Sequence, residues 1–407
     1  MMWTKSQKNV VFAAYLGWTL DAFDFFLMVF MFKDVAATFQ VDIKTVVTAV
    51  TLTLAARPIG AFIFGRLADR FGRKPALMWN ILAFSALEVA SGFAPTITVF
   101  LALRFLFGIA MGGEWGIGSA LTFETIPLRA RGVVSGLLQV GYPSGYFIAS
   151  IAMYFLYDAL GWRYMFMLGA IPAILVFFVR QGVDESPAWI EQRLKKEQHG
   201  LLEVMSRNWK LALYAIVLMT AFNFFSHGSQ DAYPNLFLKI QHGFDTHTLS
   251  LMTAIGNIGA ILGGIGFGWL SQRIGRRRAI TIAALIALPV LPFWAFGSTP
   301  LVLGIGAFLM QVSVQGAWGI IPVHLNELSP PEIRATFPGV VYQLGNFIAS
   351  ANLPIQVMIA EQHGNNYGLA MAIVVGTVAV VITLMVARGP ERLGVAMADA
   401  QRDPAPA

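Results

Sequence analysis

The sequence predicts an all-α membrane protein with twelve transmembrane helices arranged as two pseudo-symmetric six-helix halves. Three observations predict it. Of 407 residues, 57% are hydrophobic and only 12% charged, whereas about a quarter of an ordinary soluble domain is charged. Apolar runs recur along the whole chain at the length of about 20 residues that a helix needs to cross a bilayer. A loop motif after the second run returns after the eighth, from Gly65 to Gly268, an offset of 203.

The runs fall at 9–32, 46–68, 76–94, 97–121, 131–157 and 163–181, then 210–233, 248–271, 278–296, 300–325, 334–359 and 367–388. In hydrocarbon every peptide N–H and C=O needs a partner within the segment or in a closed barrel. These runs are too long and continuous for barrel strands, so they are helices. The polar stretch between the sixth and seventh runs, with Glu185, Glu191, Arg193, Lys195, Lys196, Glu197 and Arg207, is the expected linker. The boundaries follow: 1–183 as an N-terminal bundle, 184–209 as a cytosolic linker, 210–391 as a C-terminal bundle and 392–407 as a cytosolic tail.

The net charge of +6 does not point to nucleic acid, because Lys and Arg gather in short loops between apolar runs. The loop after the second run has Arg66, Arg70, Arg73 and Lys74, the one after the fourth Arg129 and Arg131, and the one after the eighth Arg273, Arg276, Arg277 and Arg278. Opposite loops are poor in positive charge, which by the positive-inside bias puts both termini in the cytosol. The expectation is an integral plasma-membrane protein, in a bacterium the inner membrane. The polar opening stretch, Met1 to Lys8, precedes a long span with no small-residue cleavage site and is expected to stay as a cytosolic N-terminus.

The repeat orders the chain further. Gly65-Arg66-Leu67-Ala68-Asp69-Arg70-Phe71-Gly72-Arg73-Lys74 returns as Gly268-Trp269-Leu270-Ser271-Gln272-Arg273-Ile274-Gly275-Arg276-Arg277, and Glu124, Arg131 and Gly136 match Glu327, Arg334 and Gly339. Two parallel six-helix repeats follow. The Gly-x-Leu-x-Asp-Arg-x-Gly-Arg-Lys loop resembles the signature between the second and third helices of the major facilitator superfamily, with a degenerate second copy where that family places one. The resemblance implies a cytosolic latch made by Gly65, Asp69, Arg70, Gly72 and Arg73. Glycines let helix ends approach closely, and Asp69 can pair with guanidinium groups or with a helix N-terminus of the other half. The arginines alone could equally set topology and meet lipid headgroups. Gln272 stands where the second copy would need its acid, which speaks against a symmetric latch.

Ionisable groups inside a span are costly and mark pathways or coupling sites. Asp21 and Asp24 lie one turn apart on one face of the first helix. Two such carboxylates cannot both ionise cheaply in a low dielectric, which suits a proton carrier. A bound cation or a structural pair with Arg104 would use the same residues. Similar proton-coupled relatives place an arginine at the Arg104 position, which makes it the expected partner of the first-helix acids. Arg57, before Pro58 in the second helix, suits the carboxylate of an anionic substrate, since a guanidinium stays charged and binds bidentately. Structural pairing with a first-helix aspartate or Glu88 is the competing reading. Glu114 reads as a second proton site or a packing acid.

The seventh run supplies the sharpest pattern. Asn223, His227 and Asp231 recur every four residues and make one polar stripe on an apolar helix, with Ser226 and Gln230 beside it. The segment resembles the Asn-x-x-Ser/Thr-His-x-Ser/Thr-Gln-Asp signature of Jen-type monocarboxylate–proton symporters, grouped with the sialate–proton symporters. In that family these residues line the substrate path. One departure is Asn235, where the family pattern has Thr. Gln139, Tyr142, Tyr146, Asn257, Gln311, Gln315, Tyr342, Gln343 and Asn346 are further hydrogen-bonding candidates on central helices. Trp115, Trp269 and Trp318 read as packing or interfacial residues.

Other chemistry lacks its residues. There is no Gly-x-x-x-x-Gly-Lys-Ser/Thr loop for a nucleotide, and Gly263-Gly264-x-Gly266 lies in an apolar helix without a preceding strand. The six histidines make no His-x-x-x-His pair, those at 242 and 247 are expected to be solvated, and there is no Cys. No enzyme activity, cofactor or metal is expected. Residues and resemblance together point to a proton-coupled symporter of small monocarboxylates such as lactate, pyruvate or acetate. Its expected partners are a small organic anion, a proton and the lipid bilayer, with no nucleic acid, and the family expectation is a monomer. The alternatives are a larger organic anion, sialate or an aromatic acid, and more remotely a non-transporting sensor.

Overall fold

The computed structural model describes residues 3–194, 201–398 and 401. The expected linker residues Lys195, Lys196 and Glu197, the histidine His199 and half of the expected tail, 399–400 and 402–407, lie outside these residues. The first half holds α1 (Lys5–Phe30), α2 (Phe32–Phe39), α3 (Ile43–Phe71), α4 (Arg73–Gly92), α5 (Ile97–Thr125), α6 (Arg131–Met167) and α7 (Ile171–Gly182). Two short helices, α8 (Pro187–Leu194) and α9 (Leu201–Arg207), stand where a linker was expected. The second half holds α10 (Trp209–Gln230), which widens into a π-helical turn over Tyr233–Gln241, and α11 (Thr246–Ile274) and α12 (Arg276–Ala295). It closes with α13 (Pro300–Trp318), α14 (Ile321–Leu328), α15 (Thr336–Ala349), α16 (Asn352–Gln362) and α17 (Tyr367–Arg388).

Side chains start these helices where the backbone leaves N–H groups unpaired. Thr4 and Gln7 form a reciprocal capping box at α1, and Asp42, Thr96, Asp245 and Thr299 accept from the first turns of α3, α5, α11 and α13. Nine helical stretches among the described residues are long and apolar enough to cross a membrane. One of them, Leu128–Gly182, makes two passes. It breaks at Gly161 (φ +70°), after which Arg163 donates to the carbonyls of Gly92 and Ala94, between α4 and α5. Its far end, Gly182, accepts from Asn9 near the start of α1. With α4 and the α15–α16 pair this gives twelve passes. The tenth and eleventh passes are each interrupted, at Gly319–Ile320 and at Ser350–Ala351, which apolarity alone did not announce.

The two halves meet along α3 with α15 and α6 with α11, the same pair of contacts under the repeat. The second of these is a backbone contact, since a Cβ on Gly136 would come within 2.3 Å of the Gly264 carbonyl oxygen. On the face that carries the chain ends, the halves are tied by charge and by helix caps. Arg73 grips Glu124 through Nε (3.0 Å) and a terminal nitrogen (2.9 Å), and Arg276 grips Glu327 in the same way at 3.0 Å. Each acid also faces an arginine of the opposite half, Glu124 with Arg334 at 3.7 Å and Glu327 with Arg131 at 3.6 Å.

Asp69 bonds Arg73 at 3.0 Å and accepts from the backbone N–H groups of Ala335 and Thr336, at the start of α15. Thr336 Cα lies 2.6 Å from where a Cβ on Gly65 would stand. The repeat-related contact is made by an amide, the Gln272 oxygen accepting from Gly132 N–H at the start of α6. Arg70 departs from the expectation. It is exposed and lies over the Phe71 ring, because its place on α3 turns it away from the other half.

The chain beyond α17 folds back over this face. Glu391 accepts from Arg276 and Arg277 N–H at the start of α12, as Glu185 does from Arg73 and Lys74 at the start of α4. Farther on, Arg131 donates to Val395 O and Gln401 Oε1, and Gln401 reaches the carbonyls of Phe123 and Ile126 in the first half.

Candidate functional site

A cavity of about 470 Å³ lies between the halves, walled by α1, α3 and α6 on one side and by α10, α11, α13 and α15 on the other. Its floor is aromatic. Tyr342 meets Trp115 at 4.8 Å, Trp318 at 5.7 Å and Trp18 at 6.4 Å between ring centroids, and Trp18 meets Tyr142 at 5.4 Å. Below the floor come the interlocked helix ends of the face that carries the termini. At the opposite end the lining residues Tyr146 and Ser350 are exposed, so the cavity is closed toward the termini and open away from them.

On the first half's wall stands Arg57. Close packing fixes its stretch of α3 against α5, where a Cβ on Gly112 would come within 2.0 Å of the Arg57 carbonyl oxygen. The guanidinium donates to Met111 Sδ at 2.7 Å, lies 5.2 Å over the Phe25 ring, and leaves Nε without a hydrogen-bond partner. A sulfur and a ring face stabilise a cation weakly beside what a carboxylate offers. The side chain therefore keeps strong donor capacity for an anion.

On the other wall the polar stripe of α10 faces the cavity. His227 Nδ1 lies 3.2 Å from an Asp231 carboxylate oxygen, and Nε2 lies 3.0 Å from the Asn346 side-chain oxygen on α15. Gln230 reaches Ser226 at 3.1 Å, and Asn223 is tied to its own helix at Met219 O. Asp231 ends α10, where the helix widens.

The cavity wall thus brings together Arg57, Gln139, Tyr142, Asn223, His227, Gln230, Asp231, Tyr342 and Asn346, with Tyr146, Asn257, Gln311 and Gln315. Asp21 and Asp24 lie behind it, fully buried, with no hydrogen-bond partner on any carboxylate oxygen. Asp21 is within electrostatic reach of Arg57. Gln343 is buried away from the cavity. Glu114 sits below the floor, in a separate small cavity.

The expected pairing of Arg104 with the first-helix acids is corrected. Arg104 donates to Glu88 at 2.7 Å and to Ser91 Oγ, and lies 4.3 Å over Phe107. Glu88 and Ser91 share the α4 face that packs on α5, so they capture the guanidinium before α1 can. Sequence reasoning missed Phe25, Phe26 and Trp18 as wall residues and Met111 as the buried contact of Arg57. Their one signal was the aromatic pair at 25–26 beside Asp24. Among the described residues no cluster of three or more metal-ligating side chains is present.

Twelve membrane passes in two repeated halves around one polar cavity, closed on one face and open on the other, define a membrane carrier fold. The chain belongs to the Major Facilitator Superfamily, whose model matches residues 11–351 and again 216–405. It is 29% identical to a carboxylic acid transporter protein homolog of Saccharomyces cerevisiae, over 94% of this chain and 68% of that protein. Similarity to the sialic acid transporter NanX of Escherichia coli is 29% over 92% and 91% of the two chains. The niacin transporter NiaP of Acinetobacter baylyi is 26% identical over 94% of each. Among solved structures, the proton:xylose symporter XylE superposes with a TM-score of 0.77 at 20% identity, covering 95% of this chain and 96% of that one, which establishes the shared fold.

Proposed function

We propose that the protein is a proton-coupled symporter of small organic monoanions, of the class of lactate, pyruvate or acetate. The observation that carries the reading is Arg57, a guanidinium in the cavity wall held only by a sulfur and an aromatic face. It takes the carboxylate, while His227, Asn346 and Gln230 on the facing wall take the rest of the molecule. Asp21, Asp24 and Asp231 carry the coupling. An anion at Arg57 is repelled by an ionised acid nearby, so anion binding favours proton binding, and the reverse holds by reciprocity. The aromatic floor and the contacts beneath it form one gate of an alternating-access cycle, with the termini face in the cytosol.

A second reading, a ring-bearing acid, is favoured by the cavity itself. Its volume of about 470 Å³ far exceeds a three-carbon acid, and Phe25, Phe26, Tyr142 and Tyr146 offer ring faces beside Arg57. The names of the sialic acid and niacin relatives support this class as well. Uptake of labelled lactate, pyruvate, acetate, nicotinate and sialate into proteoliposomes, with and without an inward proton gradient, separates the two. Gradient-stimulated uptake lost in Arg57→Ala and Asp231→Asn supports symport at this site, and the acid accumulated chooses the class. Uptake of none of the three small acids by folded protein overturns the first reading, and uptake of neither nicotinate nor sialate overturns the second.

A further inference from the structure

Beneath the floor of the central cavity lies a second cavity of about 10 Å³, bounded by Ala14 and Trp18 of α1, Glu114 and Ser119 of α5, Leu138 of α6 and Pro322 of α14. That is room for about one water. Its polar groups suit one. Both Glu114 carboxylate oxygens and Trp18 Nε1 are buried without a hydrogen-bond partner. The Ser119 hydroxyl donates to Gly116 O and accepts from Asn326 at 3.1 Å. A water taking the indole N–H and donating to the carboxylate would serve groups that are otherwise costly to bury.

The neighbourhood is built around this acid. A Cβ on Gly17 would come within 2.4 Å of Glu114 Oε1, so the glycine forms the notch in α1 that admits the carboxyl group. One turn along α1 from this glycine stands Asp21, likewise fully buried and without a hydrogen-bond partner. Ala14, Leu138 and Pro322 contribute no titratable group. Trp18 lines both cavities and is the partition between them. The chamber is closed by bonds between the halves, Asn326 to Ser119 and Val323 N–H to Ser135 Oγ. Opening of the termini face would part these bonds.

On the symport reading above, we propose that Glu114 is the proton-release station of the cycle. A proton that reaches an Asp21 carboxylate oxygen, behind the wall of the open cavity, is handed to Glu114 when motion or a bridging water brings the two unpartnered carboxyl groups into hydrogen-bond reach. It leaves through the chamber's water to the termini face once the halves separate there. One proton moves between oxygen atoms and nothing is oxidised or reduced. The substrate anion never enters the chamber, so its path and the proton's part at Trp18.

The test uses full-length protein in proteoliposomes and whichever of labelled lactate, pyruvate, acetate, nicotinate or sialate the wild type accumulates. Two rates are compared for Glu114→Gln, which copies the protonated acid: accumulation driven by an inward proton gradient, and counterflow of the same acid at equal pH. The expected result is loss of accumulation well beyond any loss of counterflow, with a flattened pH profile. Ser119→Ala, which keeps the carboxyl group and removes a hydroxyl that lines the chamber together with its bond from Asn326, is expected to slow accumulation more than counterflow. Equal loss of both rates, or wild-type accumulation in both variants, overturns the assignment. A wild type that accumulates no acid under a proton gradient overturns the symport reading instead.

Discussion

Asp69 of α3 accepts hydrogen bonds from both the backbone N–H (3.2 Å) and the hydroxyl (2.5 Å) of Thr336, which opens α15 in the opposite half. A carboxylate at a helix N-terminus meets unpaired N–H groups and the positive end of the helix dipole, worth about 0.3–2 kcal/mol. Asp69→Asn keeps the shape and removes the charge. It is expected to weaken the closed termini face and to raise labelling of a cysteine placed at Ala335, which meets Asp69 only through its backbone N–H, read by maleimide attachment. The native chain has no Cys, so a single introduced one is the whole signal.

Gly136 and Gly264 set how closely α6 and α11 can approach. A branched side chain in that contact has nowhere to go, because the obstacle is backbone. Gly136→Val is expected to hold the termini face apart, and a cysteine at Ser135 is expected to label faster in that background. Unchanged labelling would show that the halves close without this contact.

The buried pair Glu88–Arg104 predicts a stability effect. Removing one partner leaves an unpaired buried charge, at a cost of about 3–5 kcal/mol. Arg104→Leu is expected to lower the melting temperature in detergent strongly. The double variant Arg104→Leu with Glu88→Leu is expected to recover most of the loss, and a double variant as unstable as the single one would contradict this.

Removal of residues 390–407 takes away Glu391 from the α12 start and Val395 and Gln401 from Arg131. The shortened protein is expected to melt at a lower temperature and to label faster at the Ala335 cysteine than the full chain does.

Apolar length and the 203-residue offset made the twelve passes legible, because both survive without knowledge of any contact. Arg57 and the His227 stripe were legible for a related reason: a polar group stands out against an apolar run. Met111 and Phe25 gave no such contrast, since an apolar residue in a membrane span is unremarkable until the fold places a guanidinium beside it. The partner of Arg104 was misread because three buried acids compete for it, and the choice depends on which helix faces α5. The role of Glu391, which repeats that of Glu185, was not legible, because the matching acid falls three places beyond the offset.

Those two glutamates have a consequence for how the protein can be assembled. Glu185 ties the exit of the first half to its own third pass, and Glu391 does the same for the second. Each half therefore fastens its last pass to its own middle before the chain departs. Two polypeptides made separately, one ending at Leu194 and the other beginning at Leu201, would each carry their own clasp, and need only find one another in the bilayer to rebuild the whole.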